Sequence, residues 1–272
     1  MRDTLVGFDR PLRPHWIYES LRLARPGQRL SELNAPFEHI VRELTGREGK
    51  RKVRTVLFRC FLRDDQDKSR VRQNLVLRDL SLQHDLAFMT PIYLFYLVAR
   101  TEVLRRISDH IFRLYDFGSE VKMAFLKAKM TESLGERDVV VRSTRAFIQT
   151  LEHFGVVARR DGQPALCRRL PVGEDQARII LQLFALEILG APQVSLTDLP
   201  RAVFDFFALP DLRTLAQKYN GQLWDYQHRV TDDLLMVYLN SFSAATRNED
   251  WRESEPSHPL SGRRSQRPHS RS

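Results

Sequence analysis

Two pairs of arginines, Arg159–Arg160 and Arg168–Arg169, stand on either side of a short turn in VVARRDGQPALCRRL, residues 156–170. Guanidinium groups fork onto phosphate oxygens in a way that an ammonium does not. Two short strands, VVARR and ALCRRL, around the Gly-containing turn DGQP would therefore suit a nucleic-acid backbone. The residues just before them, RSTRAFIQTLEHF (142–154), show helical periodicity. At about 100° per residue, Phe147, Leu151 and Phe154 fall on one face with Ile148 at its edge. Arg142, Arg145, Gln149, Glu152 and His153 fall on the other. Arg and Gln are the side chains that read guanine and adenine edges in a major groove. Gly155 then ends the helix. Helix, glycine and hairpin follow one another as in a winged helix. The expectation is that Arg142, Arg145 and Gln149 enter a groove while Arg159, Arg160, Arg168 and Arg169 hold phosphate. The plainer alternative is a structural helix and hairpin with solvated arginines.

A second basic stretch, GKRKVRTVLFRCFLRD (49–64), carries an apolar stripe of Val53, Val56, Leu57, Cys60 and Phe61. Arg51, Lys52, Thr55, Arg59 and Arg63 gather on its other side, interrupted by Phe58 and Leu62. The pattern fits either a second DNA-contacting helix, with Arg51, Arg59 and Arg63 on phosphate, or a solvated face buried on two sides.

Catalytic motifs are missing from the sequence: it has no GxxxxGK[ST], no GxGxxG and no HExxH. Its histidines are scattered, and His110 sits in an apolar stretch that suits a core position. Two acidic pairs, Asp64–Asp65 and Asp232–Asp233, raise the idea of a metal-dependent nuclease. The first pair lies in DDQDKS, which looks like a solvated loop. The second reads as the early-turn acids of a final helix, TDDLLMVYL, capped by Thr231. No catalytic residue, metal or cofactor is expected. Trp224, Tyr226 and Tyr238 could stack on bases of a single strand, but at helical spacing they suit a core or a partner-docking face better.

Composition agrees with an acidic partner. The 272 residues include 43 Lys and Arg against 34 Asp and Glu, giving a net charge of +9 and a pI near 9.9. Such a surplus favours nucleic acid or an anionic surface. Cys60 and Cys167 form no CxxC pair, so they read as thiols of a reducing cytoplasm. The opening MRDTLVGFDRPLRP has no apolar segment of signal-peptide type. LAFMTPIYLFYLVA (86–99) is shorter than the roughly 20 residues that cross a bilayer. It reads as a buried helix with Pro91 in its first turn and Thr90 as its cap, continuing into RTEVLRRISDHIF. No membrane association is expected.

The positioning elements are predicted to be mainly α-helical: bundle-like regions around a winged helix-turn-helix with a small hairpin wing. After an irregular lead (1–14), residues 1–85 form a helical, helix-turn-helix-like region with breaks at 25–28 and 45–49. Residues 86–172 hold core helices and the winged helix, with Ser119 capping the helix after Gly118. Residues 173–242 form a helical C-terminal region that suits docking of a partner. Residues 243–272, rich in Ser, Arg, Pro and His, are expected to be disordered. No internal repeat of fixed period is visible.

Taken in order, GKRKVRTVLFRCFLR, then DLAFMTPIYLFYLVARTEVLRRISDHIF, then FLKAKM and STRAFIQTLEHFGVV resemble the BrxA family, the small A component of bacterial BREX phage-defence systems. The resemblance spans roughly residues 30–172 and rests on the pattern and order of these segments. It implies an all-helical protein with small winged hairpins, binding to double-stranded DNA without catalysis, and work beside methyltransferase and ATPase partners. The long extension after about residue 174 departs from that pattern. Two other functions remain open: an adaptor that uses the same helices on an acidic protein surface, and a nuclease.

Overall fold

The computed structural model describes residues 7–239; the tail expected over 243–272 lies outside them. The described chain is mainly helical with small sheets. A single hydrophobic cluster runs through it, from Trp16 and Phe61 by way of Phe95 and Phe147 to Phe206 and Trp224.

Its centre is helix α5, Leu86–Arg100, in which Met89 and every residue from Pro91 to Ala99 are buried. A helix apolar all round must be covered all round. Accordingly α5 packs against α1 (Pro14–Leu23), α6 (Glu102–Leu114), α9 (Glu174–Leu183) and α10 (Arg201–Phe204). Pro91 lies inside the helix rather than at its start. The cap is Asp85, whose carboxylate accepts the Phe88 N–H at 2.8 Å. Thr90 instead donates its hydroxyl to the Leu86 carbonyl at 2.7 Å. Burial of the helix from Pro91 to Ala99 offsets the hydrogen bond that proline cannot make. Nor does α5 run on into α6, because the chain turns by 104° at Thr101. Among the described residues no single helix is long and apolar enough to cross a membrane.

One arrangement occurs three times along the chain: helix, short strand, two helices, hairpin. In the first unit α1 is followed by residues 27–30, then α2 (Asn34–Ile40) and α3 (Arg47–Leu57), which ends in a π-helical turn, Phe58–Leu62. Residues 69–72 then return between the two earlier segments. Gly27 N–H donates to the Val71 carbonyl at 3.1 Å, Val71 N–H to Gln28 at 2.8 Å, and Leu30 N–H to Ser69 at 2.9 Å. On the other edge Asp64 N–H donates to Arg70 at 3.0 Å and Arg72 N–H to Leu62 at 2.9 Å. The spatial order is first, third, second.

The second unit repeats this with α6, residues 118–121, α7 (Met123–Leu134), α8 (Asp138–His153), β1 (Val157–Arg160) and β2 (Gln163–Leu166). β1 and β2 are antiparallel, joined at Asp161 and Gly162, both of positive φ (47° and 80°). That is the twist a two-residue hairpin prefers. Residues 118–121 lie along the free edge of β2, through Gly118 N–H to Leu166 at 2.7 Å, Leu166 N–H to Ser119 at 3.0 Å and Val121 N–H to Pro164 at 2.7 Å. Ser119 thus lies in a bend beside the Glu120–Ala165 bridge and caps no helix; α7 begins only at Met123.

After β3 (Leu170–Pro171), the third unit comprises α9 with its π-helical extension to Leu189, β4 (Gln193–Ser195), α10, α11 (Leu212–Lys218), β6 (Trp224–His228) and β7 (Asp233–Val237). The strand order is again first, third, second: β4-β7-β6. Between α10 and α11, β5 (Phe207–Ala208) pairs in parallel with β3. Here the structure overturns the expectation of helix to the end. Asp211 does cap α11, accepting the Thr214 N–H at 2.7 Å. Gly221, at φ 76°, then turns the chain, and the remaining residues pair as strands. Asp232 and Asp233 sit where the β6–β7 hairpin turns into β7, and among the described residues no helix follows Thr231.

Candidate nucleic-acid interface

Helix α8 is the third helix of the second unit. Phe147, Ile148, Leu151 and Phe154 are buried, as their spacing requires. Arg142, Arg145 and His153 are exposed, and Gln149 and Glu152 half-exposed, in one stripe along the helix. Arg142 sits 3.9 Å from the Asp138 carboxylate. Arg145 makes no hydrogen bond or ion pair among the described residues, so its guanidinium is open to a ligand. Burial foremost, then the nearby charges of Arg13 and His15, hold the His153 imidazole below its ordinary pKa. Neutral at pH 7, it can offer both a donor and an acceptor.

A second buried face was hidden in the sequence by its polarity. Ser143, Thr144 and Thr150 are all fully buried. Thr144 and Thr150 donate their hydroxyls to carbonyls one turn back, those of Val140 and Ala146, at 2.9 and 2.8 Å. The oxygens of Ser143 and Thr150 accept the backbone N–H groups of Phe8 and Leu12.

The hairpin arginines divide. Arg159 donates to the Gly162 carbonyl at 3.0 Å and pairs with Glu152 at 2.9 Å. Arg160 donates to the Gly118 carbonyl at 3.1 Å, tying the hairpin to the first strand of its unit. Arg168 and Arg169 lie beyond β2, on the link to β3. Arg169 donates to the Asp205 carbonyl at 3.1 Å and covers the Phe117 ring. Arg168 alone of the four makes no hydrogen bond or ion pair among the described residues; it is exposed, its guanidinium beside Gly155 at the end of α8.

In the first unit α3 takes the place of α8. Val53, Val56 and Leu57 are buried, as are Phe58, Cys60, Phe61 and Leu62 in the π turn. The basic face differs from the expected one. Arg51 is exposed and paired with Glu48 at 2.7 Å. Arg59 donates to the Gly7 carbonyl, and Arg63 lies past the helix, bridged to Val71. Among the described residues the side chains of Arg47, Lys50 and Arg54 have no hydrogen bond or ion pair, and they share a face with Arg51. Their i, i+3 and i+7 spacing was the available signal, obscured because Arg59 and Arg63 seemed to prolong the stripe.

The third unit differs in charge. Residues 14–72 carry fourteen Lys and Arg against eight Asp and Glu; residues 102–169 carry thirteen against nine; residues 174–237 carry five against nine. The net charges are therefore +6, +4 and −4. All five cations of the third unit have protein partners. Arg178 pairs with Asp175 at 3.3 Å, Arg201 with Asp205 at 3.0 Å and Arg213 with Asp233 at 2.8 Å. Lys218 pairs with Glu174, and Arg229 donates to Gln227 at 3.0 Å. Asp233, almost fully buried, also accepts from Tyr226 Oη and bonds to His228 Nδ1, both at 2.7 Å.

The acidic pairs have structural work. Asp64 accepts the Gln66 and Asp67 N–H groups, Asp65 pairs with Arg100, and Asp232 accepts the Ser195 hydroxyl at 2.7 Å. Among the described residues no group of three or more His, Cys, Asp or Glu is placed to hold a metal ion. Trp224 is fully buried and donates its indole N–H to the Ala216 carbonyl at 2.9 Å, so it offers no face for stacking. Cys60 is buried and Cys167 half-buried, both as free thiols.

Compared with protein families, characterised proteins and solved structures, the chain matches none of them.

Proposed function

We propose that this protein binds double-stranded DNA through α8 and α3, each acting as the recognition helix of a winged-helix unit. The strand order shared by the three units is the order of the winged helix, and each hairpin stands where a wing would. Arg142, Arg145 and Gln149 enter a major groove. Arg168, with Arg47, Lys50, Arg51 and Arg54 of α3, holds phosphate. Arg59, Arg159, Arg160 and Arg169, bonded to carbonyls of neighbouring segments, chiefly brace the interface and add to its field. One observation carries the reading. Third helices in two units expose cations without intramolecular partners among the described residues, whereas every cation of the third unit has a partner within the fold, a carboxylate for four of the five.

The resemblance to the BrxA family extends the proposal to a bacterial phage-defence assembly, beside methyltransferase and ATPase components. The acidic third unit suits docking of such a protein partner. The test is fluorescence anisotropy of a labelled duplex of about 30 base pairs at several salt concentrations. If the five cations assigned to phosphate engage it, affinity falls about 500-fold between roughly 50 and 200 mM salt. Loss of both Arg142 and Arg145 to Ala weakens binding at every salt concentration, by about 1–3 kcal/mol for each base contact removed, and leaves the steepness of that fall near the parental one. Absence of binding at low salt, or identical curves for parent and double variant, refutes the assignment.

A further inference from the structure

The first described residues run along the flank of α8. Phe8 donates its N–H to Ser143 Oγ at 2.9 Å, and Leu12 its N–H to Thr150 Oγ1 at 3.1 Å. Both apolar side chains are fully buried. Gly7 lies against Val139, and its carbonyl accepts from Arg59, just past the end of α3. The segment therefore runs parallel to α8, fixed at both ends and latched to the other basic helix. On the helical wheel its contacts, Val139, Ser143 and Thr150, lie about a quarter turn from Arg142, Gln149 and His153. The charge of Arg13 is felt at His153, which places the end of the segment near the end of the exposed stripe.

Arg10 falls between the two anchors. It is half-buried, its Nε is shielded from water without a partner, and its guanidinium makes no hydrogen bond or ion pair among the described residues. Arg13 has a buried, unpartnered Nε as well, and Glu43 meets only one terminal nitrogen at 3.5 Å. A guanidinium partly withdrawn from water without a counter-charge is unfavourable, and an anion in front of it relieves the cost.

We infer that residues 7–13 are a further DNA-contacting element: an arm locked beside the recognition helix, in which Arg10 binds a backbone phosphate of the same duplex. The inference rests on the reading of α8 as a DNA-contacting helix. A phosphate contact carries no sequence information, so the contribution of Arg10 is the same for every sequence.

The experiment uses the full chain and the same labelled duplex, with Arg10→Gln, Arg10→Lys and Arg145→Ala measured side by side. Thermal unfolding of each variant checks the fold. Arg10→Gln should make the slope of log K against log salt about 0.9 less negative, so that its deficit against the parent narrows about threefold between roughly 50 and 200 mM salt. Arg10→Lys should keep the parental slope. If Arg145→Ala weakens binding while Arg10→Gln behaves as the parent, the arm is not a contact and the reading of α8 stands. If Arg10→Lys loses as much as Arg10→Gln, the contact is not one of charge and the inference falls. If neither Arg10→Gln nor Arg145→Ala changes binding, the reading of α8 fails and the arm fails with it.

Discussion

Phe206 joins the third unit to the second, and its removal tests whether the units behave as one body. Its side chain is fully buried just before β5. Its ring lies 4.6 Å from that of Phe112 on α6 and 6.1 Å from that of Phe147 on α8. The Phe206 carbonyl also accepts the Leu170 N–H at 2.8 Å, so the backbone there is held while the ring is lost. Phe206→Ala leaves a cavity where three elements meet, which costs about 3–5 kcal/mol. At about 2–4 °C per kcal/mol for a chain of this size, the unfolding midpoint drops by on the order of 10 °C. Circular dichroism followed on heating, with calorimetry beside it, gives both the midpoint and the number of transitions. The expected result is a single transition at lower temperature. A loss below about 1 kcal/mol, or a third unit that melts separately while the rest keeps its parental midpoint, would refute the reasoning.

Two other perturbations follow from polar clusters. Tyr96 Oη accepts from Arg72 at 2.7 Å and from Arg100 at 2.8 Å, and Arg72 is nearly buried. Tyr96→Phe removes the oxygen both cations share and should cost about 2 kcal/mol in urea unfolding, whereas an unchanged midpoint would mean that water replaces it. The Asp233 carboxyl is held well below its ordinary pKa by hydrogen bonds from Tyr226, His228 and Arg213. A depressed carboxyl pKa gives stability that is present above about pH 4 and lost as the pH falls below that. Asp233→Asn should therefore flatten the acid limb of a plot of unfolding midpoint against pH, and parallel curves for parent and variant would argue against it.

The sequence revealed most where one period acted alone. The alternation of Phe147, Leu151 and Phe154 with Arg142, Arg145 and Gln149 sets both faces of α8, and Asp161–Gly162 marks the hairpin. It concealed what depends on partners distant in the chain. Ser143 and Thr150 look solvated until the N–H groups of Phe8 and Leu12 reach them from more than 130 residues away. The repeated unit was invisible because its first extended segments, 27–30 and 118–121, are short and pair only with residues distant in the chain. In the third unit, LLMV after two acids has the look of a helix start, yet a short apolar run also suits a buried strand. The decision lay in Asn220–Gly221, which ends α11 and lets the remaining residues pair. At the candidate interface, Arg145 and Arg168 stand open as their types suggest. Arg59, Arg160 and Arg169 are drawn inward by carbonyls that only the fold brings near.

The burial of α5 has a mechanical consequence. Because α1, α6, α9 and α10 all press on that one rod, the three units cannot swing as beads on a string. If α3 and α8 bind DNA as proposed, helices held this way would act like the jaws of a fixed caliper. On a duplex they would demand a set phase between the stretches they touch, so five base pairs inserted between those stretches would turn one of them to the far side of the helix, out of reach of its jaw.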